Sequence, residues 1–259
     1  MKLNSKLVII EFDAKSKRLF SNKREETPSV RRLEEMSAVL FNQNFVNDKN
    51  GGSPLYYVFR NAGVRFNPTV FEAHSVRYDI TVLSPYDLGG EFNKTLGHYH
   101  PLAEGLLGFP EIYEVIYGEA MFIMQKKMDG PKYDVRVIHG VKGDRVLVPP
   151  NYGHITVNVG KSDLIIANLV DSTFLSEYDE IKKMHGGCVY VLKNRNVVIN
   201  QSYGNVSFVS EDAKKIESLD YSKSLYDEYV AHPEHFRFLS KPSVLFEDTA
   251  QWGSAEWGT

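Results

Sequence analysis

The sequence predicts an all-β sandwich or barrel, dressed with extra elements at both ends. From about Tyr56 the chain runs through short β-rich segments: YYVFR, YDITVL, EIYEVIY, AMFIMQKK, YDVRVI, DRVLVP, HITVNVG and DLIIANLV. Turn formers such as Ser84-Pro85, Asp129-Gly130 and Gly160 separate these runs. Several short strands at even spacing suit a sandwich or barrel, and not alternating β–α units.

Residues 1–60 read as a covering segment. In it LVIIEF is a short strand, and VRRLEEMSAVLF carries apolar residues at helical spacing, with Pro28-Ser29 as its start. NDKNGGS is a loop. CVYVLKNRNVVI reads as a hairpin turning at Asn194-Arg195-Asn196. From about Asn205 the texture changes, and DAKKIESLDYSKSLYDEYVAHPEHFRFL has helical stretches broken near Pro233. The last residues, with Trp252 and Trp257, show no periodicity and read as a flexible or partner-bound tail. The expected organisation is one domain over 1–204 and a partly helical extension over 205–259, packed on or tethered to it.

A chain of 259 residues is long enough to bury a large core. Its formal net charge of −3 gives no basic field for nucleic acid or an anionic membrane, so neither is expected as a partner. The single cysteine, Cys188, excludes an intrachain disulfide and reads as a small buried residue. The N-terminal apolar run is four residues long, and no later stretch could span a bilayer, so the expected location is the cytoplasm.

Chemistry concentrates at Gly97-His98-Tyr99-His100. At a strand end His98 and His100 share a face, because side chains alternate, and their imidazoles can point at one ion. The sequence offers carboxylates at Glu104 and Glu111, and a further imidazole, His154, on a later strand. Three neutral imidazoles and one carboxylate suit iron, manganese, nickel, cobalt or zinc, and leave positions open for substrate. His74, His139, His185, His232 and His235 have no convincing partners and read as surface or structural residues. Arg31-Arg32 could reach an anionic ligand, but a pair at a helix start reads first as solvated.

The spacing around these residues resembles the two cupin motifs. After HxH and a spacer, Glu111 is followed by Gly118; the second motif appears as Gly143, Pro149, His154 and Asn158. Glu104 lacks a glycine seven residues on, which favours Glu111 and makes residues 101–110 an inserted loop. Asn151 stands where the motif has glycine, and asparagine also tolerates left-handed backbone. The resemblance implies a cupin, a jelly-roll β-barrel.

It extends to the cupin-type, archaeal-type glucose-6-phosphate isomerases. SVRRLEEM, TVLSP, KTLGHYH, EIYEVIYG, VPPNYGHITVNVG and the hairpin after Gly186 occur in family order over roughly residues 28–200. The resemblance implies metal ligands at His98, His100, Glu111 and His154, and phosphate-side residues at Thr81, Thr95, Gly97 and Tyr178. Tyr113, two residues from Glu111, should enter the same cavity and bond a sugar hydroxyl. Two positions depart from the family: Val170 replaces a tyrosine and Ser176 a histidine.

The expected function is therefore interconversion of glucose 6-phosphate and fructose 6-phosphate by metal-assisted hydrogen transfer between C1 and C2. Glu111 is either the base of an enediol route or purely a ligand in a hydride shift. One divalent ion per subunit is expected, iron foremost, in a homodimer serving glycolysis and gluconeogenesis. A cupin dioxygenase and a non-catalytic sugar-phosphate binder are the competing classes.

Overall fold

In the computed structural model, residues 1–3 and 5–247 are described. Trp252 and Trp257 lie outside them.

Two sheets form the barrel. One runs, in spatial order, Arg145–Val148, Glu111–Tyr117, Leu164–Asp171, Val76–Leu83, Pro54–Phe59 and Ser29–Arg32, antiparallel throughout. The other runs Gly153–Asn158, Glu119–Lys127, Lys132–Val141 and Asn205–Asp212. From Glu111 onward the chain repeatedly crosses between the sheets, which makes the body a jelly roll. Tight turns make the crossings: Gly118, with φ +92°, closes the first, and a Cβ there would meet Asp163 O at 2.8 Å. Asn151 takes the left-handed conformation with φ +69°.

Burial explains the strand compositions. The six-stranded sheet is covered on both faces, so Leu164–Asp171 is buried at every position and reads as a mostly apolar run, broken by Asn168 and ended by Asp171. Its inner face packs Tyr113, Val115 and Ile166 against Phe122, Met124 and Ile138 of the opposite sheet. Its outer face carries Ile80, Ile112 and Leu169 into a second core, shared with Val8, Ile10, Phe12 and Leu19 from the N-terminal segment. Leu225, Tyr226 and Tyr229 of the helix Leu225–Ala231 join that core. The hairpin of Val189–Val191 and Val197–Ile199 covers the other sheet around Cys188, which is fully buried with its thiol pushed up by burial.

Three local readings change. SVRR is not helical: Ser29–Arg32 pairs with Pro54–Phe59, and a 3-10 helix, Leu33–Val39, follows. Leu33, Met36 and Val39 lie three apart, which suits three residues per turn and buries all three. In LVIIEF only Ile10–Asp13 joins the N-terminal strands, leaving Leu7 and Ile9 exposed. Residues Asn205–Asp212 form a strand parallel to Lys132–Val141. Most of that strand's side chains are exposed, so no apolar alternation marked it. Past it, helical stretches do follow, Leu225–Ala231 and the 3-10 segment Pro233–Leu239.

Candidate metal centre and substrate cavity

Backbone pairing brings the two histidine motifs together. His98 N donates to His154 O at 3.2 Å, and His154 N donates to His98 O at 3.0 Å. His98 and His100, two apart on extended backbone, turn the same way, while Glu111 opens the strand Glu111–Tyr117. Ligand atoms of His98, His100, Glu111 and His154 all lie within 4.8 Å of one another. His98 Nε2 and His100 Nε2 are 3.1 Å apart, and Glu111 Oε2 lies 3.0 Å from His154 Nε2 and 3.5 Å from His100 Nε2. Donors about 2.0–2.2 Å from one ion stand roughly 3 Å apart when adjacent, so this set fits a divalent transition metal.

The electrostatics agree with that fit. Glu111 Oε2 is buried with no hydrogen-bond partner among the described residues, an arrangement that a cation would relieve. Burial, then the neighbouring imidazoles, holds His98 well below its ordinary pKa. Burial brings His100 down to about 4, against the pull of Glu111. Both rings are therefore neutral near neutral pH, with lone pairs free for a cation. His100 Nδ1 faces Phe109 O at 2.8 Å; donating there fixes the tautomer that leaves Nε2 open. Burial alone would raise Glu111, but the imidazoles of His154 and His100 beside it leave it net below its usual value.

Glu104 is elsewhere. Its carboxylate accepts from Ser243 N at 3.1 Å, in the small hairpin formed by Leu102–Glu104 and Leu107–Gly108. The inserted 101–110 segment thus folds outward and returns the chain at Glu111.

A cavity of about 300 Å³ opens beside His98 and Glu111. Thr81, Thr95, Gly97, Tyr113 and Tyr178 all line it. The Tyr113 hydroxyl is 3.1 Å from His154 Nε2, and the Tyr178 ring centre is 5.5 Å from that of His98. Thr95 Oγ1 accepts from Thr156 N at 2.9 Å. Gly97 has φ +84°, and a Cβ there would stand 2.4 Å from Ile155 Cγ1, so packing alone demands glycine. Ser176 lines the cavity, while Val170 is fully buried and paired with Glu111 across the sheet.

Charged residues outside the motifs also line it. Arg31 is not a solvated helix-start residue: Nε donates to Tyr56 OH at 3.3 Å, and that oxygen also accepts from Leu96 N at 3.3 Å. Arg60, Arg77 and Asp79 reach the same space. Arg77 and Asp79 could have been found by stepping back in twos from Thr81 along Val76–Leu83. Outside the cavity, His139 does have partners, Glu119 at 2.8 Å and Asp212 at 3.3 Å. His232, Glu234 and His235 form a second, more exposed group of donors.

A crossed-sheet barrel with this histidine and carboxylate cluster inside defines the class: the fold is a cupin. A family model described as glucose-6-phosphate isomerase matches residues 30–207, and the chain belongs to that family of isomerases. The glucose-6-phosphate isomerase of Thermococcus litoralis is 27% identical over 145 residues, covering 52% of this chain and 72% of the relative. That of Pyrococcus furiosus is 26% identical over 180 residues, covering 66% and 84%. For that of Thermococcus onnurineus the figures are 30% over 129 residues, 46% and 64%. Among solved structures, a mutant of Bacillus subtilis oxalate decarboxylase matches with TM-score 0.35 and 19% identity, over 48% of this chain and 28% of that one. An oxalate oxidase matches with TM-score 0.33 and 15% identity, over 56% of this chain and 54% of that one. Among the described residues, no helix is long and apolar enough to cross a membrane.

Proposed function

We propose that the cavity interconverts glucose 6-phosphate and fructose 6-phosphate, with a divalent ion, iron foremost, at His98, His100, Glu111 and His154. The observation that carries this reading is the unpartnered, buried Glu111 Oε2 among three imidazoles at the edge of a sugar-sized cavity, in a member of this family. A homodimer in cytoplasmic sugar metabolism is the setting that the family resemblance implies.

When bound, the ion would supply Lewis-acid polarisation of the sugar's adjacent oxygens. The chain's own groups do the rest. Thr81, Thr95, Gly97 and Tyr178 hold the phosphate end, and the Tyr113 hydroxyl donates to a sugar oxygen. Glu111 takes the proton from C2 of the aldose as the C1 carbonyl electrons move to O1, giving an enediolate whose O2 hydroxyl proton passes to O1. It then returns a proton to C1 as the carbonyl forms at C2. Glu111 is only 3% exposed, which keeps bulk water from competing for that proton.

The test is a coupled assay for fructose 6-phosphate conversion, without oxygen, before and after chelation and with iron, manganese, nickel, cobalt or zinc restored. Chelation should abolish turnover and an added ion restore it; no turnover with any of these ions sinks the reading. His154→Ala and Glu111→Ala should lose the metal, while Glu104→Ala should keep it. Deuterium at C2 should wash out to solvent; strict retention would favour a hydride shift with Glu111 only a ligand. Metal and sugar-phosphate binding without turnover would point to a sensor.

A further inference from the structure

One row of side chains crosses the inner face of the six-stranded sheet beside Glu111. Glu111 pairs with Val170, and Val170 pairs with Arg77. Residues directly opposite on neighbouring strands share a face, so Glu111, Val170 and Arg77 all turn inward. Two strand spacings put the Cα atoms of Glu111 and Arg77 roughly 10 Å apart. The side chain between them is only a valine, and both Glu111 and Arg77 line the cavity.

The guanidinium is held by one edge. Arg77 Nε donates to Asp79 Oδ2 at 2.9 Å, and Asp79, 4% exposed, is itself fixed by Asn61 N at 3.0 Å. The terminal nitrogens of Arg77 donate to no protein group among the described residues. Its side chain is 19% exposed, so those nitrogens face a largely enclosed space. Arg77 lines the cavity together with His98, Glu111 and Tyr113, on the side where the metal-ligand candidates stand.

We infer that Arg77, propped by Asp79 in the room Val170 leaves, donates its free N–H pair to the sugar oxygens on the reacting carbons. A planar guanidinium fork matches two adjacent oxygens sharing negative charge better than any other side chain. Moving hydrogen between C1 and C2 concentrates charge on those oxygens, whichever route it takes. A preorganised donor there stabilises the transition state more than the bound sugar, so its loss lowers kcat and leaves KM nearly unchanged. The inference rests on the isomerase reading for its substrate, and not for its geometry.

The experiment compares wild type, Arg77→Gln and Arg77→Lys as metal-loaded protein, with metal content measured for each. Arg77→Gln should lower kcat about 100-fold, the typical cost of one oxyanion donor. Arg77→Lys keeps Asp79 paired but loses the fork; it should also fall, and it carries the test if Arg77→Gln loses metal. Calorimetry with acetohydroxamate, whose adjacent oxygens share one negative charge, supplies a readout independent of turnover. Its affinity should drop about tenfold in Arg77→Gln, the loss of charge-assisted hydrogen bonds. Unchanged kcat and unchanged acetohydroxamate affinity in both variants would overturn the assignment, leaving Arg77 a structural partner of Asp79. If wild type fails to isomerise yet Arg77→Gln still weakens acetohydroxamate, the isomerase reading falls and the role of Arg77 stands.

Discussion

Gly97→Ala is the perturbation that best separates two meanings of the glycine before His98. Read by resemblance, Gly97 belongs to the phosphate side of the substrate; read by packing, it is where two motif segments touch. An added Cβ would lie 2.4 Å from Ile155 Cγ1 and 3.0 Å from Ile155 Cδ1, with φ at +84°. The left-handed backbone costs an alanine about 1–2 kcal/mol, and overpacking of this kind adds about 1–3 kcal/mol. Together these predict a loss of roughly 2–5 kcal/mol, a fall in Tm of about 5–15 °C for a domain this size. The strain falls on the backbone pairing of His98 with His154, whose ring centres stand 4.4 Å apart. Metal affinity should therefore drop as well, by about 10–100-fold, as for other changes that misplace ligands. Denaturant unfolding and metal titration of Gly97→Ala, Ile155→Ala and the double variant measure both effects. The double variant should recover the overpacking share, so the two costs are not additive. A Gly97→Ala protein with unchanged Tm and metal affinity, but a raised KM for sugar phosphate alone, would refute the packing argument.

Two further outcomes follow from buried and half-buried charges. Lys94 and Glu91 form an ion pair with side chains 2% and 1% exposed; Lys94 Nζ also donates to Val39 O, and Glu91 accepts from Phe41 N. Lys94→Met strands the Glu91 carboxylate and should cost about 3–5 kcal/mol by chemical denaturation, whereas Lys94→Met with Glu91→Gln should cost clearly less. Equal losses in the two variants would show that the pair does not act as a unit. Glu119 is held down to about 2, first by the hydrogen bond from Arg195 and against burial, with help from His139. A depressed carboxyl stabilises the fold above its unfolded value of 4.5 and loses that contribution as pH falls from there toward about 2. Because this pair is solvent-screened, the loss should be about 1 kcal/mol, and Glu119→Gln should flatten that part of the pH–stability curve.

The barrel was legible because burial writes a period into each strand. Leu164–Asp171 is mostly apolar since both faces are covered, and Val189–Val191 with Val197–Ile199 turns at its polar tip. Asn205–Asp212 was not legible: it joins its neighbour by backbone hydrogen bonds while most of its side chains stay in solvent. Leu33–Val39 deceived through a spacing of three, which serves a 3-10 turn as well as an α-helix. The four clustered donors could be picked out because local glycines, prolines and asparagines mark the turns that aim them. Arg31, Arg60 and Arg77 carry no such marks. Strand partners distant in sequence place two of them in the cavity, Tyr56 for Arg31 and Val170 for Arg77.

Those arginines bear on how an acidic chain would serve the proposed sugar-phosphate substrate. The chain's net charge is −3, so no global field draws an anion in. Locally, Arg31, Arg60 and Arg77 stand against Glu35, Asp79 and Glu111, three positive groups and three negative, around a neutral His98. The protein's own lining is thus formally balanced. A divalent ion among the three imidazoles and Glu111 would tip it to +2, the complement of a phosphate dianion near neutral pH. In that arrangement the ion would contribute to sugar-phosphate affinity as well as to the proposed chemistry at C1 and C2. Chelation should then weaken fructose 6-phosphate binding itself, and the weakening should lessen as salt screens the cavity's charge.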